Sequence, residues 1–231
     1  MRTFGVLSLL VLAGLFGGAV ALAQTKVPVN FVKGNDAGVT SDQVDAALIK
    51  VNEVFKPCDI QFTNNSFVPI NDANAPVTPA EEGADKWTKD MGDVAKAGRA
   101  AVKDADEKGK QGKLVVVVVK NFKNADPHRQ SSINGIDSGS TVLLADPFDV
   151  EANTGGQEEF WHTLAHELGH AVGLGHSVLK SDKDYANQAN GEYTGPNLMA
   201  REGVIGNTEL TKDQCDEAKK GAKKYEVPEK K

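Results

Sequence analysis

The sequence has little of what marks several common classes of protein. Its 231 residues include two cysteines and five histidines, and its acidic residues outnumber lysine and arginine by 32 to 26, for a net charge of −6. An acidic chain without a basic stripe argues against nucleic acid or an anionic membrane surface as a partner. Internal repeats and low-complexity tracts are absent. The composition is neither disordered nor fibrous, and the length suits one globular domain.

The N-terminal segment has the features of a secretory signal peptide. Arg2 precedes an apolar run that ends in small residues at Ala21 and Ala23. This pattern predicts cleavage before Gln24. An uncleaved transmembrane anchor is the alternative, but the run is short for a bilayer span. We therefore expect residues 1–23 to be removed and the mature protein to be secreted or periplasmic, without membrane insertion.

The two cysteines, Cys58 and Cys215, are far apart in the sequence. An exported protein with an even number of cysteines is expected to pair them. The sequence therefore predicts a disulfide that ties the early part of the domain to its last helix.

Hydrophobic periodicity predicts a chain in which strands and helices are mixed. The expected strands lie at 27–32, 59–62, 114–119 and 140–146, and the expected helices at about 41–55, 84–108, 158–172 and 209–224. Thr40 with Gln43 and Thr211 with Gln214 have the spacing of capping boxes, which start helices. The β-branched run LVVVVV at 114–119 predicts a central strand buried on both faces. The polar segment at about 121–139 is predicted to be a loop.

Three of the five histidines lie in the stretch HELGHAVGLGH, residues 166–176. His166 and His170 are one helical turn apart, so both imidazoles can reach a single zinc ion. Gly173 allows the chain to turn back and bring His176 to the metal as a third ligand. The fourth position then stays open for water, as a catalytic zinc site requires. Glu167 is predicted to be the general base that takes a proton from this water and delivers it to the leaving amine.

The other two histidines are not expected to bind this metal. His162 lies too far from His170 along a straight helix to share an ion with it. We interpret His162 as a residue at the surface or one that supports a ligand. His128 is isolated in a polar segment and is interpreted as a solvated loop residue.

The motif HELGHAVGLGH, the Ser177 that follows it and NLMA at 197–200 resemble the metzincin clan of zinc metallopeptidases, and most of all its matrixin group. The resemblance implies an α+β, zincin-like fold with a twisted mixed β-sheet, an active-site helix and a small C-terminal subdomain that ends in a helix. It places an upper subdomain up to about residue 176 and a lower one at about 177–231, within a single catalytic domain of residues 24–231.

The resemblance also implies roles for individual residues. The three histidines of the motif would be the zinc ligands, Glu167 the general base, and Met199 the floor of the metal site in a tight turn. The strand at 140–146 would form the upper edge of the cleft and pair with an extended peptide.

The sequence departs from the matrixin pattern in places. Only His128 precedes the motif in the region where matrixins bind a second, structural zinc, so one catalytic zinc is predicted. Astacins have a tyrosine two positions after the turn methionine, where this chain has Arg201. Loops at 134–156 and 181–197 are rich in Asp, Asn and Gly and leave structural calcium open.

The sequence does not decide how activity is restrained. KPCDIQF, around Cys58, has a faint likeness to the propeptide cysteine switch of matrixins. A propeptide that ended near residue 60 would, however, remove the first strand and helix of the catalytic unit. The disulfide with Cys215 is therefore favoured, and the enzyme would emerge active or be restrained by a separate protein inhibitor.

The predicted function is a secreted, monomeric, zinc-dependent endopeptidase that acts on protein or peptide substrates. An aminopeptidase is disfavoured because no acidic cluster that would capture a free amine is evident. From another class, the alternative is a secreted zinc-containing binding or adhesion protein with little or no proteolytic activity. The intact Glu167 argues against this alternative, since a purely structural site needs no base.

Overall fold

The computed structural model describes residues 24–35, 37–70, 84–105, 114–120, 131–136, 139–146, 148, 156–176, 197–200 and 206–226. The predicted signal peptide, His128, Ser177 and Arg201 lie outside these residues. So do nearly all of the second candidate calcium loop and part of the first.

In the part of the chain that the structure describes, five strands form one mixed sheet in the order β2-β1-β3-β5-β4. They are β1 Thr25–Lys33, β2 Ile60–Pro69, β3 Leu114–Val119, β4 Ser131–Ile136 and β5 Gly139–Ala145. The strands β2, β1, β3 and β5 are parallel to one another, and β4 is antiparallel to β5. This arrangement confirms the mixed sheet that the sequence predicts.

Among the described residues, four helices pack against the sheet, and all four were predicted. They are α1 Ser41–Phe55, α2 Ala84–Ala105, α3 Gly156–Ala171 and α4 Lys212–Ala222. A short 3-10 turn, Lys56–Cys58, follows α1. Both predicted capping boxes are present, with Thr40 before α1 and Thr211 before α4.

The prediction that the strand at 140–146 forms the edge of the sheet was wrong. That segment is β5, which lies between β3 and β4. The edge strand on this side of the sheet is β4, from the segment predicted to be a loop, and its residues pair from Ser131 with Leu144 to Ile136 with Gly139. Glycine and asparagine give SSINGI a weak strand preference, so the ladder that β5 offers decides its conformation.

The strand β3 divides the core into two layers because its side chains alternate between the faces of the sheet. Leu114, Val116 and Val118 pack in the cluster that contains the buried faces of α1, α3 and α4. Val115 and Val117 pack in the second cluster, which includes Val94, Ala95 and Val102 of α2. All six residues of β3 are buried, which confirms a central strand covered on both sides.

A covalent bond and an ion pair join the segment between α1 and β2 to α4. Cys58 and Cys215 form a disulfide across a sequence separation of 157 residues, which confirms the predicted pairing. The Lys219 ammonium lies 2.8 Å from a carboxylate oxygen of Asp59. Together they hold α4 against the turn after α1. None of the helices in the described residues is both long enough and apolar enough to cross a lipid bilayer.

Candidate metal centre

The structure brings the three histidines of the motif to one point. The Nε2 atom of His170 lies 3.1 Å from Nε2 of His166 and 3.1 Å from Nε2 of His176. No other group of three or more His, Cys, Asp or Glu side chains within the described part of the chain converges on one point in this way.

The spacing of these nitrogens suits a tetrahedral metal ion. Zn–N bonds of about 2.0–2.1 Å at the tetrahedral angle place two ligand nitrogens about 3.3 Å apart. Imidazole nitrogens suit zinc and several other divalent transition metals. The three side chains thus fit the metal that the sequence predicts.

The outer nitrogens of the rings decide which atoms face the centre. Nδ1 of His166 lies 2.8 Å from the Leu198 carbonyl oxygen, and Nδ1 of His170 lies 2.7 Å from that of Leu174. A carbonyl oxygen can only accept, so each Nδ1 must carry a proton and donate it. In the neutral imidazole, Nε2 then keeps a lone pair. Two lone pairs 3.1 Å apart cannot form a hydrogen bond with each other, but both can bind a cation between them.

The protonation state of His166 favours the same role. The pKa of this imidazole is lowered from 6.5 to about 4, chiefly by burial and to a smaller extent by the neighbouring His170 and His176, against the raising effect of the Leu198 carbonyl. The ring is therefore neutral at physiological pH and keeps its lone pair for a metal.

The end of α3 has the backbone that the motif requires. Gly173 has φ +98°, a left-handed conformation that glycine adopts at low cost. Its N–H donates to the His170 carbonyl, and the Leu174 N–H donates to the Gly169 carbonyl. These two bonds are the Schellman pattern at a helix end. The turn places the Leu174 carbonyl on the His170 ring and returns the chain so that His176 reaches the other two rings.

Met199 lies in a tight turn packed against the same helix. In the turn, residues 197–200, the Ala200 N–H donates to the Asn197 carbonyl, and Met199 is fully buried. A Cβ at Gly169 of α3 would lie 2.5 Å from the Met199 sulfur. The glycine therefore permits the turn to approach the helix, while the role of Met199 as the floor of the metal site stays a prediction.

Glu167 and His162 are both buried in α3, at 6% and 2% exposed. Glu167 directly follows the first histidine of the triad. His162 does not join the converging nitrogens, because its Nε2 lies 3.0 Å from the Asn207 carbonyl oxygen. Burial lowers the pKa of His162 as well. Of the two interpretations of His162, the surface residue was therefore wrong, and a residue that supports a ligand stays a prediction. Its exclusion from the metal group agrees with the structure.

Sequence reasoning missed the groups that orient the rings. The carbonyls of Leu198 and Leu174 act through the backbone, so no side chain marks them in the sequence. The sequence places Asn197 in a turn and Gly169 in the motif, but it does not indicate the contacts that either residue makes. The one signal in the sequence was Gly169 itself, because glycine is disfavoured inside a helix and this one lies in the last turn of α3.

Comparisons with known proteins give a likeness of fold. No protein-family model matches the sequence, and no curated protein matches it. The fold is similar to that of metalloproteinase-II from Bacteroides fragilis, with a TM-score of 0.52 and 13% sequence identity over 86% of this chain. This chain spans about half, 53%, of the length of that protein.

A second solved structure, archaemetzincin from Methanopyrus kandleri, matches with a TM-score of 0.44 and 13% identity, over 88% of this chain and 99% of that one. The likeness to metalloproteinase-II agrees with the zincin-like fold that the resemblance implies. Neither comparison singles out the matrixin group, which stays a prediction. Structural calcium, which the sequence leaves open, gains no support from these comparisons.

Proposed function

We propose that this chain is a zinc-dependent endopeptidase of the metzincin type, with His166, His170 and His176 as ligands and Glu167 as general base. The observation that carries the proposal is the convergence of three imidazole nitrogens beside a buried glutamate on α3. The fold shared with a solved metalloproteinase supports the same class.

Each residue would contribute a defined step. The three imidazoles would hold the metal, and the carbonyls of Leu198 and Leu174 would keep two of the rings in the Nδ1–H tautomer. A bound zinc ion supplies the Lewis acidity that acidifies a water molecule and polarises the scissile carbonyl. Glu167 would accept the proton of the attacking water and pass it to the leaving amine.

The edge strand β4 is the element proposed to align the substrate. It packs beside α3, and within the described residues its outer side is not paired with another strand. An extended peptide can add to such an edge through main-chain hydrogen bonds, which suits substrates of many sequences. Export, a monomeric state and restraint by a separate inhibitor are proposed from the sequence. The disulfide favours an oxidising compartment.

Glu167→Gln tests the proposed chemistry directly. The substitution keeps the shape of the side chain but removes the group that accepts a proton, so cleavage should fall at least about a hundredfold while zinc stays bound. The measurement is cleavage of a mixed-sequence quenched peptide library by residues 24–231, with and without a zinc chelator, together with analysis of bound metal.

Glu158→Gln is the matched control, because it removes an exposed carboxylate from the first turn of the same helix. It should leave cleavage unchanged. Full activity in Glu167→Gln would contradict the role of Glu167, and absence of bound zinc in the unaltered chain would contradict the metal centre. Bound zinc without cleavage of any peptide would favour the binding or adhesion protein instead.

A further inference from the structure

A pair of side-chain amides links the turn at residues 197–200 to the start of α4. The Asn197 Nδ2 donates to the Gln214 Oε1 at 2.8 Å, and the Gln214 Nε2 donates back to the Asn197 Oδ1 at 3.2 Å. The same Oδ1 also accepts from the Met199 N–H at 3.0 Å. One side chain thus shapes the turn and attaches it to the helix.

The turn at residues 197–200 also holds the Leu198 carbonyl, which orients His166. The Leu198 N–H donates to the Glu209 carbonyl at 2.9 Å, and the Leu198 carbonyl accepts from Nδ1 of His166 at 2.8 Å. Leu198 is fully buried, so water does not compete for this carbonyl. Any movement of the turn would therefore move the acceptor of the His166 ring.

The glutamine of the pair is itself held in place. Its Oε1 accepts from the Thr211 N–H at 2.9 Å, and its backbone N–H donates to the Thr211 hydroxyl at 3.2 Å. The next residue, Cys215, is bonded to Cys58. The Gln214 side chain is thus a fixed point to which the turn is attached.

We infer that Asn197 and Gln214 are positioning residues of the metal centre. By fixing the turn, they keep the Leu198 carbonyl on Nδ1 of His166, which holds the ring with Nε2 towards His170 and His176. The consequence for catalysis rests on the proposed function, but the orientation of the His166 ring is a property of the metal-free chain as well.

Gln214→Glu separates this role from helix capping. Glutamate serves as well as glutamine at this position of a capping box, so the start of α4 is kept. The new carboxylate has no N–H to give, and it places an acceptor against the Asn197 Oδ1. The bond that Gln214 Nε2 donates is lost, so the turn keeps only one of its two amide hydrogen bonds to Gln214.

Gln43→Glu is the matched control. Gln43 holds the same place in the capping box of α1, where its Oε1 accepts from the backbone N–H and hydroxyl of Thr40. Within the described residues, the hydrogen bonds of this side chain stay inside its own box. The control therefore introduces the same charge at the same position of a helix without touching the turn.

Two measurements on the full mature chain test the inference. Zinc affinity, measured by competition with a chromophoric chelator, should fall about tenfold in Gln214→Glu, the size expected when a group that orients a ligand is removed. In the metal-free chain, the ¹⁵N and Nδ1–H resonances of His166 should shift, and the Nδ1 proton should exchange faster with water. Gln43→Glu should change neither.

Equal values for the two variants, or an unchanged His166 resonance in Gln214→Glu, would overturn the inference. If Gln214→Glu does not fold, Asn197→Asp provides the same test, because it keeps the acceptor for the Met199 N–H and removes the Nδ2 donor. If the unaltered chain binds no zinc, the proposed function fails, whereas the resonances of the metal-free chain still decide whether the amide pair positions His166.

Discussion

Helices α1 and α4 are each preceded by a threonine with a glutamine three residues later, and both first turns have the two hydrogen bonds of a capping box. The Gln43 side chain bonds only to Thr40 among the described residues. The Gln214 side chain bonds to Thr211 and also to Asn197, two residues before the buried Met199. The same motif therefore makes only local contacts at α1, whereas at α4 it is linked through Asn197 to the turn that contacts His166.

This difference shows that the role of a capping box depends on which segments of the chain pack beside it. Both boxes satisfy backbone N–H groups that a helix start leaves without a partner. The α4 box lies beside the turn at 197–200 because the disulfide of Cys215 and the ion pair of Lys219 hold that helix near the end of α1. Variants that loosen α4 therefore measure how strongly this placement affects the metal site.

Removing the disulfide is expected to have the largest effect. Cys58→Ser combined with Cys215→Ser frees a loop whose ends are separated by 157 residues. The loss of such a link costs about 2–5 kcal/mol of unfolding free energy. Urea unfolding of the double variant and of the unaltered chain measures this loss.

The same variant tests whether the role of the α4 capping box depends on how firmly α4 is held. Once α4 is less firmly held, zinc affinity should fall as well, although nothing in the α4 box has changed. A stability loss below about 1 kcal/mol, or zinc affinity that is unaffected despite the full stability loss, would show that α4 is held by packing alone.

Gly221→Ala should have an intermediate effect. A Cβ at Gly221 of α4 would overlap the backbone carbonyl of Val172 at the end of α3. Backbone cannot move aside as a side chain can, so we expect a loss of about 2 kcal/mol and a weaker metal site.

Gly98→Ala is the comparison for this change. Its Cβ would overlap the Val117 side chain on the other face of the sheet, and alanine improves helix propensity by about 1 kcal/mol. Stability should change by less than about 1 kcal/mol, with zinc affinity unaltered. Thermal unfolding and chelator competition are measured on both variants. An equal loss of zinc affinity in the two would contradict a specific effect of the position of α4 on the metal site.

The smallest effect is expected from the capping hydroxyls. Thr40→Ala and Thr211→Ala each remove one bond to a backbone N–H and should each cost about 1 kcal/mol. Zinc affinity should stay the same in both, since the pair formed by Asn197 and Gln214 is left intact. If Thr211→Ala weakened zinc binding as much as Gln214→Glu, the helix start, and not the amide pair, would be acting on the site.

Much of the fold could be predicted because it depends on short-range patterns. The apolar spacing of α1 and the uninterrupted run of β3 agree with the structure to the residue. The strand β4 was missed because its sequence is poor in strand-forming residues and its conformation depends on pairing with β5. The burial of His162 was missed because its partner, the Asn207 carbonyl, lies 45 residues away.

The candidate site divides in the same way. The sequence by itself determined the spacing of His166 and His170, the turn at Gly173 and the two helix starts, since each of these depends on bonds that close within about four residues. Only the tertiary structure decided that the Leu198 carbonyl, 32 residues beyond His166, would orient its ring, and that Gln214 and not Gln43 would support that carbonyl. Backbone carbonyls are chemically alike at every position, so the choice among them depends on packing.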